Sequence, residues 1–442
     1  MDAREVALLT LHTCERQGGW SDGTLKKQIT AAGLDSRDAA LATNLCFGVI
    51  QNQLLLDYYL SKFSNIPLKR MENKVLQALR LGAYQMLFLT KIPHSAAVDQ
   101  SVRLTKQYSK NPRAPGMVNA ILRSFQRSMD HLPTIPQQDT AEYLSVLYSH
   151  PKWLVDQLLE TLGEQGTGAC LSANNSQPPI TAQVNTIKTD AQSLCSRLEQ
   201  EGITAQPHPW LSDCLILSHT GNLESSSSFQ EGLFYVQDPA SRLAVMAASP
   251  APGSRILDAC AAPGGKSFAS AIHMKGEGEI TSCDLHPHKK RLISAGAKRL
   301  GLKAITPVTA DGKDFCPEWE GAFDCVLVDA PCSGLGVIRK KPDIRYKDPE
   351  PLEQLPQIQK EILNNVSRYV KPGGTLLYST CTILERENQQ IVAEFLDGHP
   401  DFSLESFCLP GPIGLVEGGM ITLWPHIHNT DGFFIAKLRK GE

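Results

Sequence analysis

At 442 residues the chain is too long for one ordinary hydrophobic core, and about three domains are expected. Hydrophobic residues make up 42% and charged residues 20%, which excludes intrinsic disorder. A formal net charge of -3 excludes a global basic field, although a local basic stripe is enough to track phosphates. The twelve cysteines are scattered, with no CxxC pair and no His/Cys cluster at zinc spacing. No disulfide framework and no metal are therefore expected, and the cysteines read as thiols of a reduced, cytoplasmic protein. Asp2, Arg4 and Glu5 precede Leu8, unlike a signal peptide, and no apolar run has the length to span a bilayer.

Residues 1 to about 130 read as a helical bundle. Val75, Leu76, Leu79, Ala83, Met86 and Leu87 keep the spacing of one buried helix face. Similar patterns lie around residues 44–50, 54–60, 97–106 and 118–125, punctuated by Pro67, Pro93, Pro112 and Pro115. Residues 131 to about 145 are polar, with Pro133 and Pro136, and suit a linker. From residue 145 to 228 a small α+β unit is expected, with strands at 180–184 and 214–217, a helix at 190–200 and a serine run at 225–228 closing it. Residues 229–442 alternate apolar strands with amphipathic helices. The clearest strands are 256–258, 279–283, 325–329 and 375–379, a pattern that predicts a mostly parallel sheet with helices on both faces. Residues 420–424 and 433–438 read as an antiparallel edge pair with no helix between them.

Chemistry gathers at the ends of these strands. Asp258-Ala259-Cys260-Ala261-Ala262-Pro263-Gly264-Gly265-Lys266 leaves a strand and turns through small residues into a helix. In parallel α/β sheets ligands bind outside the carboxyl ends of the strands, and glycines there let the backbone approach closely. The turn lacks the G-x-G-x-x-G spacing of a dinucleotide site, and by itself it reads equally as a structural loop. Asp284 closes the next strand, where a carboxylate accepts both ribose hydroxyls, and Asp311 follows the third, placed for an adenine amino group. Each alone suits a solvated loop. Acids at three successive strand ends point to an adenosyl ligand without a pyrophosphate.

Asp329-Ala330-Pro331-Cys332-Ser333-Gly334 ends the fourth strand and Tyr378-Ser379-Thr380-Cys381-Thr382 the fifth. One cysteine there would read as a small core hydrophobe; two at adjacent functional edges point to thiol chemistry. Carbon 5 of a pyrimidine is too weak a nucleophile to take a methyl group unaided, and a thiolate adding to carbon 6 activates it. A free thiol titrates near 8.5, so forming the thiolate at pH 7 needs about 2 kcal/mol of local stabilisation. Lys266 and a bound sulfonium would supply it, although Lys266 serves equally as a charge at the helix turn. The run Arg339-Lys340-Lys341-Pro342-Asp343-Ile344-Arg345-Tyr346-Lys347 follows closely. A charge run is usually a solvated face, but beside the catalytic edge it suits a phosphate-tracking groove.

On these motifs the chain resembles the NOL1/NOP2/Sun family, and within it the bacterial 16S ribosomal RNA cytosine-C5 methyltransferases of the Fmu/Sun type. The resemblance also rests on Phe234-Tyr235-Val236-Gln237-Asp238-Pro239-Ala240-Ser241, Asp431-Gly432-Phe433-Phe434, Gly48-Val49-Ile50, Leu81-Gly82-Ala83-Tyr84-Gln85 and Val118-Asn119-Ala120-Ile121-Leu122-Arg123. It implies an all-α NusB-like RNA-binding bundle, a small RRM-like α+β domain entered by Ser149-His150-Pro151-Lys152-Trp153, and a class I, Rossmann-like α/β methyltransferase domain. It further implies S-adenosylmethionine as methyl donor, 16S ribosomal RNA as partner and a monomer. Cys381 would be the nucleophile and Cys332 would assist release. Cys260, Ala261, Ala262, Pro263, Gly264, Gly265, Lys266, Asp284, Asp311 and Asp329 would line the cofactor site. Lys266 and Asp329 would also face the cytosine, with Arg339 and Lys341 contacting RNA. Gln51, Gln183 and Ala295 stand where the family pattern has other residues, and these positions touch RNA docking rather than the reaction. A transfer-RNA cytosine methyltransferase and a non-catalytic assembly factor are the alternatives. The NusB-like region argues against the first, and the presence of Cys381 and of Gly264-Gly265 against the second.

Overall fold

The computed structural model describes residues 1–17 and 21–442. The chain forms two compact units, residues 1–176 with 338–347 and residues 177–337 with 348–442.

The first unit is helical. Helices Ala3–Gln17, Ser36–Gln51, Gln53–Phe63, His94–Tyr108 and Ala114–Arg127 surround Asn73–Phe88. That central helix departs from the single buried face expected of it, because every residue from Val75 to Met86 is buried. Its polar residues are tolerated because each has a partner. Arg80 pairs with Asp57 at 2.7 Å and Glu15 at 3.4 Å, and Gln85 accepts from Arg4 Nε at 2.7 Å, as buried polar groups require. The expected linker is partly wrong: Thr140–Tyr148 is a helix, capped by the Asp139 carboxylate on Glu142 N at 3.1 Å.

Residues 338–347 fold with this unit although they interrupt the second. The expected basic groove is corrected here. Arg345 is 0% exposed and gives Nη1 to the carbonyls of Gln51 (3.2 Å), Tyr148 (3.4 Å) and Ser149 (3.0 Å) and to Asn175 Oδ1 (2.8 Å). Arg339 is only 4% exposed. Lys341 is exposed and Lys340 half-buried, so the run splits into a structural guanidinium and surface lysines.

The second unit holds two sheets. The small one contains β1 (Ile180–Val184), β2 (Thr204–Pro207), β3 (Cys214–Ser218) and β4 (Phe234–Val236) in the antiparallel order β2-β3-β1-β4, so its last strand lies beyond residue 228. The large sheet contains β5 (Arg255–Asp258), β6 (Glu279–Asp284), β7 (Ile305–Thr309), β8 (Phe323–Asp329), β9 (Val370–Thr380) and β10 (Phe402–Leu404). A hairpin of β11 (Phe407–Leu409) and β12 (Gly414–Val416) follows, then β13 (Met420–Leu423) and β14 (Phe433–Lys440). The order is β10-β14-β9-β8-β5-β6-β7, with β13 also on β14 and with β5 to β9 parallel. Both faces are covered. Ile256, Leu327, Leu377 and Ile435 face one apolar layer, and Leu257, Val326, Val328, Leu376 and Phe434 face the other. β13 and β14 pair antiparallel as expected, with two corrections. A one-turn helix, Pro425–His428, lies between them, and β14 is interior because it pairs with β9 on one side and with β10 and β13 on the other.

Candidate active site

The sheet order reverses between β5 and β8, and the crevice outside strand ends at such a reversal is where open α/β sheets bind ligands. A cavity of about 170 Å³ opens there, lined by Gln237, Asp258, Cys260–Pro263, Gly265, Lys266 and Asp329 among others. Gly264 takes a φ of 114°, a left-handed conformation that favours glycine, and Gly265 lies against the end of the Gln237 side chain. Asp258 is fully buried. Its Oδ2 accepts from Ser267 Oγ at 2.7 Å, while Oδ1 has no hydrogen-bond partner. Burial pushes its carboxyl up to about 6, against the opposing pull of Ser267 and Lys266. Cys260 is held firmly as a thiol, first by burial and then by the carboxylates of Asp258, Asp329 and Asp284.

Asp284 closes β6, buried, with Oδ1 accepting from His286 N at 3.0 Å and Oδ2 3.6 Å from Lys289 Nζ. Asp311 lies just past β7, half-buried, and turns back on Lys313 N at 2.9 Å. Lys266 Nζ pairs with Asp329 Oδ2 at 2.7 Å and sits 4.9 Å from the Phe433 ring centre. Asp329 Oδ1 accepts from Ser379 Oγ at 3.2 Å.

Cys332 follows β8 and Cys381 follows β9, both half-buried, and their sulfurs lie 3.3 Å apart. The hydrogen bond to Cys381, then burial and nearby negative charge, raise the Cys332 thiol well above its ordinary range. The two loops interlock with a third. Gly336 N donates to Cys381 O at 2.9 Å and Gly432 N to Gly336 O at 2.8 Å. A Cβ on Gly432 would lie 2.8 Å from Gly336 Cα and 2.7 Å from Ile383 Cγ2, which explains the glycine of the Asp431-Gly432-Phe433-Phe434 motif.

The cysteines, Lys266, Asp329, Asp284, Asp311 and the 260–266 turn all come to the carboxyl edge of one sheet, whereas Arg339 and Lys341 fold with the helical unit. Sequence reasoning counted Asp258 among the acids at three successive strand ends but missed its unpaired oxygen. It also missed Gln359, Glu387 and Asn388, fully buried residues bonded around the cysteine loops. A polar Glu-Asn pair a few residues after Cys381 was the available signal.

Comparisons with known proteins agree with this architecture. A model of the NusB family matches residues 1–127, one for the RsmF/B-like ferredoxin-like domain matches 150–224, and one for the 16S rRNA methyltransferase RsmB/F matches 245–439. The probable ribosomal RNA small subunit methyltransferase B of Bacillus subtilis (strain 168) is 38% identical, over 99% of this chain and 98% of the relative. That of Synechocystis sp. is 32% identical over 100% of both. The crystal structure of the protein PH0851 superposes with a TM-score of 0.80 at 27% identity, covering 100% of this chain and 99% of that one. With the domain models matching in order and such identity sustained from end to end, the chain belongs to the RsmB/F family of 16S ribosomal RNA methyltransferases.

Proposed function

We propose that the protein transfers a methyl group from S-adenosylmethionine to carbon 5 of one cytosine in 16S ribosomal RNA, through a transient bond between Cys381 and carbon 6. The observation that carries this reading is the pair of sulfurs 3.3 Å apart at the carboxyl edge of the sheet, next to the bonded Lys266–Asp329 pair.

The cofactor fits the residues present. Asp258 Oδ1 is buried without a partner, so the cavity favours a ligand that brings positive charge. The 260–266 turn would lie against it, Asp284 would hold the ribose hydroxyls and Asp311 the adenine amino group. When bound, S-adenosylmethionine supplies the electrophilic methyl group that carbon 5 takes up. Cys381 adds to carbon 6 and places electron density on carbon 5, while Lys266 and Asp329 orient the ring through hydrogen bonds. Water takes the carbon 5 proton as Cys381 departs, and the elimination restores aromaticity. Cys332, holding its proton beside Cys381, is placed to protonate the leaving sulfur. Lys340 and Lys341 offer charge for RNA phosphates. Incubation with labelled cofactor and 16S ribosomal RNA, followed by nucleoside mass spectrometry and mapping, should yield 5-methylcytosine at one position. A methylated base other than 5-methylcytosine would sink the assignment.

A further inference from the structure

Two thiols carried on separate loops must keep one separation through attack and release, and loops of small polar residues do not fix that by themselves. What fixes it is a buried cluster behind them. Glu387 is 0% exposed. Its Oε2 accepts from Ser333 N and from Gln359 Nε2, each at 2.9 Å, and its Oε1 lies 3.5 Å from Thr382 Oγ1. Gln359 Nε2 also reaches Pro331 O at 2.9 Å. Both neighbours of Cys332 are thereby tied to one carboxylate–amide pair, and so is the residue after Cys381. Asn388 holds the other flank, accepting from Thr380 Oγ1 at 2.6 Å and donating to Thr382 O at 3.1 Å. Ser333 Oγ and Thr382 Oγ1, 2.7 Å apart, link the two loops directly. A well-packed apolar group usually stabilises a core as well as a buried charge does. Here the hydrogen bonds of the charge run to the residues that flank the two thiols.

We propose that Glu387 is a positioning residue, which with Gln359 and Asn388 sets the distance between the Cys332 and Cys381 sulfurs for the covalent step. The consequence for turnover rests on the cysteine roles proposed above, whereas the spacing of the sulfurs can be read without RNA or cofactor. Phenylarsine oxide is a suitable probe. Its arsenic binds two close thiols, both S–H protons leaving with its oxygen as water. On the full-length protein, peptide mapping should find the arsenic bridging Cys332 and Cys381. Glu387→Ala and Gln359→Ala should slow this capture about tenfold or more and lower kcat about 100-fold, the scale of an ångström-level misplacement. KM for RNA and the cofactor Kd should stay unchanged. Glu387→Gln, which keeps an acceptor for Ser333 N, should recover part of both losses. Capture at the wild-type rate in either folded alanine variant overturns the proposal, as does a fall in cofactor affinity by the same factor, which marks general loosening. If arsenical capture behaves as expected but the wild-type protein forms no 5-methylcytosine, the reaction assigned above fails and the positioning role stands.

Discussion

Cys332 and Cys381 share a hydrogen bond but have different parts in the proposed reaction. The Cys332 thiol is raised by its hydrogen bond to Cys381 and by burial, and its turn is fixed on both sides by Gln359 and Glu387. Cys381→Ala should therefore abolish both methylation and any covalent RNA adduct. Cys332→Ala should still attack and methylate but stall with RNA attached, giving a slower band on a denaturing gel. A band from Cys381→Ala and none from Cys332→Ala would reverse the roles. Asp258 gives a second test at this scale. Its carboxyl is raised to about 6, so the folded state holds the proton more tightly than the unfolded chain does. That contribution to stability is present at low pH and is lost as pH rises from about 4 through 6. Asp258→Asn should stabilise the protein at pH 7 by up to about 3 kcal/mol, with the gap closing near pH 4 in urea titrations. Cofactor affinity should moreover rise through pH 6 in the wild type, because the ligand favours the ionised acid, and should be flat in Asp258→Asn. Parallel calorimetric pH profiles for the two proteins would refute this role.

At the scale of elements, the segment 338–347 shows how a charged sequence becomes a structural strap. Arg345 donates to backbone carbonyls at the ends of the helices Ser36–Gln51 and Thr140–Tyr148 and to the Asn175 side chain, where helix ends leave carbonyls without intrahelical partners. Burial lowers its pKa to about 10. Arg345→Ala should remove the donor to the Gln51 carbonyl and the Asn175 amide oxygen and open a cavity, costing about 3 kcal/mol or more, while the Tyr148 and Ser149 carbonyls keep Asn175 Nδ2 and the Tyr346 hydroxyl. An unchanged urea midpoint in Arg345→Ala would show that the strap is not held this way. Elements with strong periodicity were legible: β1, β5, β6, β8 and β9 lie where alternation and turn residues put them. The all-round burial of Asn73–Phe88 was not. Gln77, Arg80 and Gln85 look like a solvent face until Glu15, Asp57 and Arg4 arrive from other helices.

For the whole molecule, RNA capture must come from local charge, since the net charge is -3. In the helical unit Arg16, Lys74 and Lys110 border a cavity of about 330 Å³ with His12, Glu72 and Asn73. We expect this basic rim to bind phosphates. Changing Arg16, Lys74 and Lys110 together to Ala should weaken 16S ribosomal RNA binding and flatten its log–log salt dependence by about one for each phosphate no longer neutralised, with cofactor affinity intact. An unaltered salt slope would remove the rim from the RNA surface. Point substitution is preferable to deleting residues 1–130, because residues 140–174 and 338–347 fold with those helices and would be left without their core. Among the described residues no single helix is long and apolar enough to cross a membrane.

The sequence alone determined strands β1, β3, β5, β6, β8, β9, β13 and β14 but not β2, β4 or β10 to β12, and it determined that the large sheet is mostly parallel, with acids and cysteines at its carboxyl ends. These follow from local periodicity and from the alternation of side-chain direction along a strand. Tertiary structure decided what depends on partners distant in sequence. It turned Arg345 from a candidate phosphate ligand into a buried donor, because acceptors from residues 51, 148, 149 and 175 converge on it. It left Asp258 with an unpaired oxygen, and it brought two thiols 49 residues apart to 3.3 Å. Burial and hydrogen-bond satisfaction are properties of the assembled environment, and no local pattern encodes them.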